Sequence, residues 1–367
     1  MHAIRRIPDC KIVALCDREL LMARQLGERF GISECFADLQ ELLHSTSPNV
    51  VHITTPPQSH YLLATQCLEA GCHVYVEKPF SVAAAEADSL LELAERRGLK
   101  VTAGHNLQFT LEMLEMRRLV KQGFLGGKPV HLESHFSYDL GDATYVGALL
   151  GNRSHWVRRL PGQLLHNILS HGIAKLVEFF DDDLEIIAQA EQSPRLKSFG
   201  EKEILDGLRV LIRDKVGVTA FFCFSTQIKA LNQLHIYGPA NSILVDHASG
   251  SLIRNKNRSY KSYLTYFVPP LQAAREHFRN ARINVSNFMR RRLYQDFGMK
   301  ELVERFYNSI RMNGPVPIPY REILLTARIM DEIFAQIYPD RLPHFAQSLP
   351  ALAGRPPQSS LARVVST

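Results

Sequence analysis

The first hundred residues alternate short apolar segments with helix-like segments. The apolar segments, which predict strands, lie at Ile12–Cys16, Val50–Thr54, His73–Val76 and Lys100–Ala103. The helix-like segments lie at Glu19–Phe30, Ser59–Ala70 and from a capping Ser81 to Arg97. A glycine follows each of them and can adopt the left-handed conformation that ends a helix. Apolar strands separated by helices predict an α/β domain, with a parallel sheet covered by helices on both faces.

After about Asn106 the pattern changes to many strand-like segments with few helices between them. These predict strands at Val130–Tyr138, Leu184–Ala190, Gly207–Ile212, Val216–Phe224, Gln233–Tyr237, Ser242–Val245 and Ser251–Arg254. Such an order predicts a separate α+β domain with a large, mostly antiparallel sheet. We therefore expect a first domain at 1–106, a second at 107–319, and a loose tail at 340–367.

The composition is typical of a folded protein from a reducing compartment. Apolar residues make up 46% and charged residues 22% of the 367 residues, which is the balance of a globular protein. The longest apolar run, Val218–Phe224, is far shorter than the roughly 20 residues of a membrane-spanning helix. The six cysteines form no Cys-x-x-Cys pair, and the N-terminus lacks an apolar secretory signal. We therefore expect a cytoplasmic protein without a transmembrane span, disulfide framework or metal knuckle.

One basic segment carries more positive charge than the chain as a whole. Between Arg254 and Arg292, ten lysines and arginines stand against one acid, Glu276, a net charge of +9 where the full chain has +6. The segment is either a solvated helical face or the surface for an anionic partner, such as a phosphorylated substrate, a membrane surface or nucleic acid. Because no zinc-finger, RNA-recognition or helix-turn-helix pattern accompanies it, we expect no nucleic-acid partner.

Two positions that follow predicted strands could bind a ligand. Asp17 follows the first strand, where an acidic residue either caps the next helix or binds the ribose of a dinucleotide. No G-x-G-x-x-G precedes it, which favours the helix cap. Lys78 follows the strand His73–Val76, and a lysine at the carboxyl end of a parallel strand points into the crevice where such sheets bind ligands. The ordinary alternative is a surface lysine paired with Glu77.

A third candidate cluster lies on a predicted helix at about Leu164–Phe180. Asn167 and His171 are four residues apart and therefore share one helix face. Histidine titrates near neutrality and suits proton removal from a hydroxyl. A zinc site formed by His155, His166 and His171 is the alternative. Because the spacing places His166 and His171 on different faces, and no carboxylate or thiolate joins them, we expect no metal.

The order of these motifs resembles the Gfo/Idh/MocA oxidoreductases, named for glucose–fructose oxidoreductase and inositol dehydrogenase. The resemblance covers nearly the whole chain, from about Met1 to Tyr338. The matching motifs are Asp17, Thr54-Thr55-Pro56-Pro57-Gln58-Ser59-His60, Glu77-Lys78-Pro79 and Gly162 with Asn167-x-x-x-His171. The Glu-Lys-Pro motif after its strand is the most specific of them. The resemblance implies a Rossmann domain that binds NAD or NADP and a second domain whose open sheet makes the contact in a homo-oligomer. It also implies a late helix, Arg321–Ile337, packed on the first domain.

Individual roles follow from the same resemblance. Lys78 matches the catalytic lysine, and His171 matches the acid/base histidine, with Asn167 beside it at the family's usual aspartate. Asparagine can hold a substrate hydroxyl but cannot supply the negative charge that favours an imidazolium. The residues expected to contact the cofactor are Asp17, Arg18, Thr54, Thr55, Pro56, His60, Glu77, Lys78 and Asn106.

These expectations combine into an NAD(P)-dependent oxidoreductase. It would transfer a hydride between nicotinamide and a carbinol or keto carbon of a sugar or sugar derivative, such as an anionic nucleotide sugar or glycan precursor. Asp17 favours NAD because a 2′-phosphate would meet its negative charge, whereas Arg18 leaves NADP open. The alternative from another class is a non-catalytic member that binds a ligand or regulates a partner. We also expect that roughly 20–25 residues with the phosphate-binding glycines precede Met1, from the usual spacing of that motif.

Overall fold

The chain forms two compact units in this computed structural model, which describes residues 1–139, 149, 151–152, 154–229, 231–292 and 297–339. Unit 1 contains Met1–His105, Ser154–Ser170 and the residues from Met299 onwards, and unit 2 contains Asn106–Arg153 and His171–Gly298. Residues 154–170 and 299–319, which the sequence assigns to the second domain, group with unit 1 instead. The predicted tail at 340–367 lies outside the described residues.

Two small parallel sheets form the centre of unit 1. Their strands are β1 (Leu15–Cys16), β2 (Cys35–Phe36), β3 (Val50–Ile53), β4 (His73–Val76) and β5 (Val101–Ala103). β1 pairs with β2, and a second sheet has the order β3-β4-β5. These strands are almost entirely buried, which is why their sequences are mostly apolar rather than alternating. The parallel α/β class is therefore confirmed.

Unit 2 is organised around one large sheet. Its strands are β6 (His131–Ser137), β7 (Leu184–Glu191), β8 (Gly207–Asp214), β9 (Thr219–Ser225), β10 (Asn232–Tyr237), β11 (Asn241–Asp246) and β12 (Ser251–Lys256). Their order is β12-β11-β10-β6-β9-β8-β7, and every neighbouring pair is antiparallel except β6 and β9. The mostly antiparallel open sheet predicted for the second domain is confirmed.

The helices begin and end near the residues that the sequence predicts, with a few exceptions. Those in the described residues are α1 (Leu20–Phe30), α2 (Leu39–Thr46), α3 (His60–Glu69), α4 (Ala84–Arg97), α5 (Leu111–Lys121), α6 (Gln163–Ile173), α7 (Pro194–Ser198), α8 (Leu264–Met289), α9 (Phe297–Arg311) and α10 (Tyr320–Ile337). Gly31 and Gly98 end α1 and α4 in the left-handed conformation, at φ 63° and 64°. The predicted Ser81 cap is wrong, because the Ser81 hydroxyl donates to the carbonyl of Ala83, and Ala83 is itself the N-cap residue of α4.

Helix α10 belongs to unit 1 and contacts α4. Its apolar face is buried, including Ile329, Ile333 and Phe334. The carboxylate of Asp331 accepts a hydrogen bond of 2.8 Å from the backbone N–H of Ala84, at the start of α4. The first and last thirds of the chain are thereby joined in one core. None of the helices in the described residues is both long and apolar enough to cross a bilayer.

Candidate active site

Lys78 stands directly after β4, on a turn that the neighbouring strand holds in place. The backbone N–H of Glu77 donates to the carbonyl of Ile53 in β3 at 2.8 Å, which continues the parallel pairing one residue past the strand. The Lys78–Pro79 peptide bond is cis. The ammonium Nζ donates to the main-chain carbonyl of Asn167 in α6 at 2.9 Å. One of its three N–H groups is thereby used to fix its position.

Burial changes the pKa of Lys78 and of its neighbour Glu77. Desolvation lowers the pKa of Lys78, an effect that the Glu77 carboxylate opposes. Desolvation raises the pKa of Glu77, and the nearby ammonium opposes this. The Tyr75 hydroxyl lies 3.4 Å from Oε2 of Glu77. A Cβ at Gly104 would lie 2.6 Å from the same oxygen, so a larger residue there would displace the carboxylate. Gly104 is a site residue that the sequence analysis missed.

His60 connects the loop after β3 to the Lys78 turn. Its Nε2 lies 2.7 Å from the carbonyl of Thr55, and its Nδ1 lies 2.9 Å from the carbonyl of Pro79. Burial lowers its pKa to about 4, against the effect of these carbonyls. A neutral imidazole donates one proton, so it bonds one carbonyl at a time. Because both ring nitrogens face backbone carbonyls, His60 supports the loop, and its contact with the cofactor stays a prediction.

The rest of that loop has one exposed and one buried threonine. Thr54 is exposed and Pro56 is half-buried. Thr55 is buried, and its hydroxyl accepts a 2.7 Å hydrogen bond from Ser59. The Gln58 side chain donates to the carbonyl of Trp156 at 2.9 Å. These contacts give the loop one conformation at the carboxyl end of β3.

Asp17 is buried at the end of β1, and Arg18 beside it is exposed. The Oδ1 atom of Asp17 accepts a 2.9 Å hydrogen bond from the backbone N–H of Glu19, at the start of α1. The contact at the helix start, which is one of the two sequence interpretations, is therefore present. It engages one oxygen of the carboxylate and is compatible with the ribose role, because a carboxylate has about four acceptor sites.

Helix α6 presents its polar residues in different environments. His166 is buried and stacks on the ring of Phe334, with centroids 4.8 Å apart, and burial lowers its pKa to about 4. Its place is therefore in the core of unit 1. His171 is half-buried, and its ring centroid lies 6.2 Å from that of Phe136 in unit 2. In the described residues, no three His, Cys, Asp or Glu side chains lie close enough to hold a metal ion.

The end of β5 contributes a residue that the sequence analysis missed. His105 is buried, and both burial and the charge of Lys78 lower its pKa, to about 4. The imidazole of His105 is therefore neutral near pH 7. Asn106, the next residue, is half-buried and begins a short 3₁₀ helix at the start of unit 2. The signal in the sequence was the Gly104-His105-Asn106 triplet directly after an apolar strand.

The residues of unit 1 fit a dinucleotide. Asp17, the Thr54–Pro56 loop and Lys78 follow β1, β3 and β4 respectively. Carboxyl ends of parallel strands are where open α/β sheets bind such ligands. A buried carboxylate suits the paired hydroxyls of a ribose, and a fixed ammonium suits the reacting end of the molecule. These are therefore the residues that would hold the cofactor.

The N-terminal part of the chain, which carries these residues, is similar to known oxidoreductases. Residues 1–105 match the Gfo/Idh/MocA model, described as an oxidoreductase family with an NAD-binding Rossmann fold. The chain is 33% identical over 118 residues to D-glucoside 3-dehydrogenase of Escherichia coli, covering 32% of this chain and 34% of that protein. The chain thus spans about a third of the length of that curated relative. It is 25% identical over 301 residues to D-apiose dehydrogenase of Paraburkholderia graminis, covering 79% and 75% of the two chains.

Solved structures share the fold of most of the chain. The WlbA dehydrogenase from Bordetella pertussis, solved in complex with NADH and UDP-GlcNAcA, superposes with a TM-score of 0.71 at 15% identity, covering 91% of this chain and 90% of that one. Identity at that level shows the fold alone. The family match and the parallel strands of unit 1 agree on the N-terminal part of the molecule. Residues 1–105 are thus similar to the NAD-binding Rossmann part of the Gfo/Idh/MocA oxidoreductases.

Proposed function

We propose that the protein is an NAD(P)-dependent oxidoreductase that acts on a CH–OH group of a sugar or sugar derivative. The observation that carries this proposal is the Lys78 side chain, which is half-buried after β4 and whose ammonium donates to the carbonyl of Asn167 at 2.9 Å. A surface lysine paired with Glu77 would need neither the burial nor this anchor. The names of the relatives, a D-glucoside and a D-apiose dehydrogenase, support a sugar-type substrate.

The protein's own groups would orient the substrate and handle its proton. Bound nicotinamide would supply or accept the hydride. Lys78 would donate a hydrogen bond to the reacting oxygen and stabilise the negative charge that develops there. His171 would remove or return the hydroxyl proton, since imidazole exchanges protons near neutral pH. Asn167 would act mainly through its backbone carbonyl, which positions Lys78 and does not depend on the side chain.

A nucleotide sugar is the finer substrate proposal. Its support is a structural neighbour, WlbA, whose complex contains UDP-GlcNAcA. We further propose a homo-oligomer that forms through the open face of the unit 2 sheet. Ile187 of β7 and Leu211 of β8 are cross-strand partners on that sheet, and both are exposed.

Turnover with a substrate panel tests the proposed activity. Absorbance of the reduced nicotinamide is followed with unmodified sugars and with nucleotide sugars, in both directions and with both dinucleotides. We expect turnover with at least one sugar-type compound. Dinucleotide binding without turnover of any compound would instead favour a non-catalytic, ligand-binding member of the family.

Asp17 should influence the choice between the two dinucleotides. If its carboxylate binds the adenosine ribose, Asp17→Ser should shift the NAD-to-NADP preference toward NADP by about tenfold, the scale of one lost charge repulsion. Asp38→Ser is the matched control, because Asp38 also caps a helix start, accepting from Glu41 at 2.9 Å. The measurement is kcat/KM for each dinucleotide. If the ratio of kcat/KM for NAD to that for NADP is unchanged in Asp17→Ser, Asp17 serves only the start of α1.

A further inference from the structure

Helix α8 is amphipathic, but its apolar face is exposed to solvent and its polar face contacts the protein. Apolar residues recur along it at alternating spacings of three and four, at Leu264, Phe267, Leu271, Ala274, Phe278, Ala281, Val285 and Phe288. Such a stripe normally faces a protein core. Here all eight residues are exposed, and the six larger ones are between 54% and 69% exposed. The stripe of α8, as we call these eight residues, is therefore open to solvent in unit 2.

The opposite, polar face attaches α8 to the edge of the sheet. The buried Asn280 side chain accepts from the N–H of Leu252 at 3.1 Å and donates to its carbonyl at 2.8 Å, which satisfies the free edge of β12. Glu276, one turn earlier, pairs with Arg254 of β12 at 2.6 Å. Asn284, one turn later, donates to the carbonyl of Ser249 at 3.0 Å. These polar contacts at intervals of four determine the orientation of the helix, so the stripe must point outward.

Positive charge borders the stripe along its length. Arg275 and Arg282 flank it, and the guanidinium of Arg282 lies 6.0 Å from the ring centroid of Phe278. Glu276 is occupied by Arg254 and Arg279. In the described residues, the other eight cations of the segment form no ion pair with a carboxylate; they are Lys256, Arg258, Lys261, Arg275, Arg282, Arg290, Arg291 and Arg292. The surface that surrounds the apolar stripe is thus strongly cationic.

We propose that α8 docks the protein on an anionic lipid bilayer. An exposed Phe/Leu stripe edged by arginines has the pattern of a helix that lies in the membrane interface, with its apolar face among the acyl chains and its cations against lipid phosphates. The exposed Tyr263 and Tyr266 near its start have the amphipathic rings that are enriched at that depth. The helix lies on the membrane and does not span it.

The charge and the backbone of α8 argue against two protein partners, a second copy of this chain and another protein's helix. Two copies joined through the stripe would bring two segments of net charge +9 together, which is repulsive. A continuous coiled coil with another helix is disfavoured by Pro269 and Pro270 inside α8, because proline removes helix hydrogen bonds. A lipid surface supplies negative charge and needs no matching helix.

Co-sedimentation of the full chain with vesicles tests the proposal. We expect binding to vesicles that contain phosphatidylglycerol and at least about tenfold weaker binding to pure phosphatidylcholine. Phe267→Glu/Phe278→Glu should weaken binding by at least about tenfold, because it places two charges in the apolar face. Arg290→Gln/Arg291→Gln/Arg292→Gln should weaken it by a similar factor, and raised salt should weaken wild-type binding.

Matched controls separate α8 from general surface properties. Phe199→Glu/Val216→Glu changes two exposed apolar residues elsewhere, and Lys121→Gln/Lys128→Gln/Lys202→Gln removes three exposed charges; both should bind like the wild type. Thermal unfolding of each variant shows that it is folded. Failure of the wild-type chain to bind phosphatidylglycerol vesicles overturns the proposal. Binding that the α8 substitutions leave unchanged also overturns it, as does an oligomer that Phe267→Glu/Phe278→Glu dissociates in the absence of lipid binding.

Discussion

Lys78→Ala and His171→Ala should each lower kcat by at least about 100-fold, the lower range of what proton-transfer and charge-stabilising groups contribute. Lys78 is half-buried after β4, and its ammonium donates to the main-chain carbonyl of Asn167. Dinucleotide affinity should change little, because we propose that neither residue contacts the adenosine end. The measurements are steady-state kinetics with the best substrate and a fluorescence titration with reduced dinucleotide.

The pH profile distinguishes a direct role of Lys78 from a structural one. Burial lowers its pKa from the ordinary lysine value. The ammonium is therefore lost as the pH rises through a value below about 10.4. Activity that needs the ammonium should therefore fall at alkaline pH. The side chain of Lys78→Arg stays charged, so this variant should not show the alkaline fall, even if its overall activity is lower.

Exposed residues of the same types provide the controls for these variants. Lys121→Ala and His44→Ala, both at exposed positions, should retain wild-type kinetics. Near-normal turnover in Lys78→Ala and His171→Ala would contradict the proposed mechanism.

Gly162→Ala should destabilise the protein by about 1–3 kcal/mol, the usual cost of overpacking a core. A Cβ at this position would lie 2.2 Å from the ring of Phe334. Phe334 is fully buried and stacks on His166, so the ring cannot retreat without disturbing a second aromatic contact. The expected fall in melting temperature, about 2–10 °C for a domain of this size, is measured by calorimetry.

Two further variants identify the cause of that loss. Gly314→Ala is the matched control, because no atom lies within 4 Å of a Cβ built there, and its melting temperature should be unchanged or slightly higher. In a Phe334→Leu background, Gly162→Ala should cost less than in the wild type, because the smaller side chain leaves room. Strictly additive effects of the two substitutions would contradict the proposed clash.

The motif that contains Gly162 illustrates what a sequence pattern can and cannot predict. The pattern placed Asn167 and His171 on one helix that begins shortly after Gly162, and the structure contains α6 at that position. It did not predict that Gly162 makes room for Phe334, which lies more than 170 residues later in the chain. Nor did it predict that Asn167 acts on Lys78 through its backbone. Both contacts join distant segments, and local spacing carries no information about them.

Local periodicity also explains the missed elements. β2 has two residues, Cys35 and Phe36, and forms only because β1 offers a parallel partner. Such a strand is too short to show a period. At the start of α2, the Asp38 carboxylate accepts from the backbone N–H of Glu41, which is a common contact at a helix N-terminus. The helix has only eight residues, too few to show a clear period. Helix α8, by contrast, is long, but its charge pattern fits both a solvated face and a surface for an anionic partner, so the sequence did not decide between them.

The sequence by itself determined the α/β class of the first part, the mostly antiparallel sheet of the second, and the position of Lys78 after its strand. These properties follow from apolar periodicity, from glycines at helix ends and from the rule that ligands bind at the carboxyl ends of parallel strands. Only the tertiary structure decided which histidines are buried in the core and which face of α8 is exposed. Those properties depend on contacts between segments far apart in the chain: Phe334 covers His166, and β12 binds the polar face of α8.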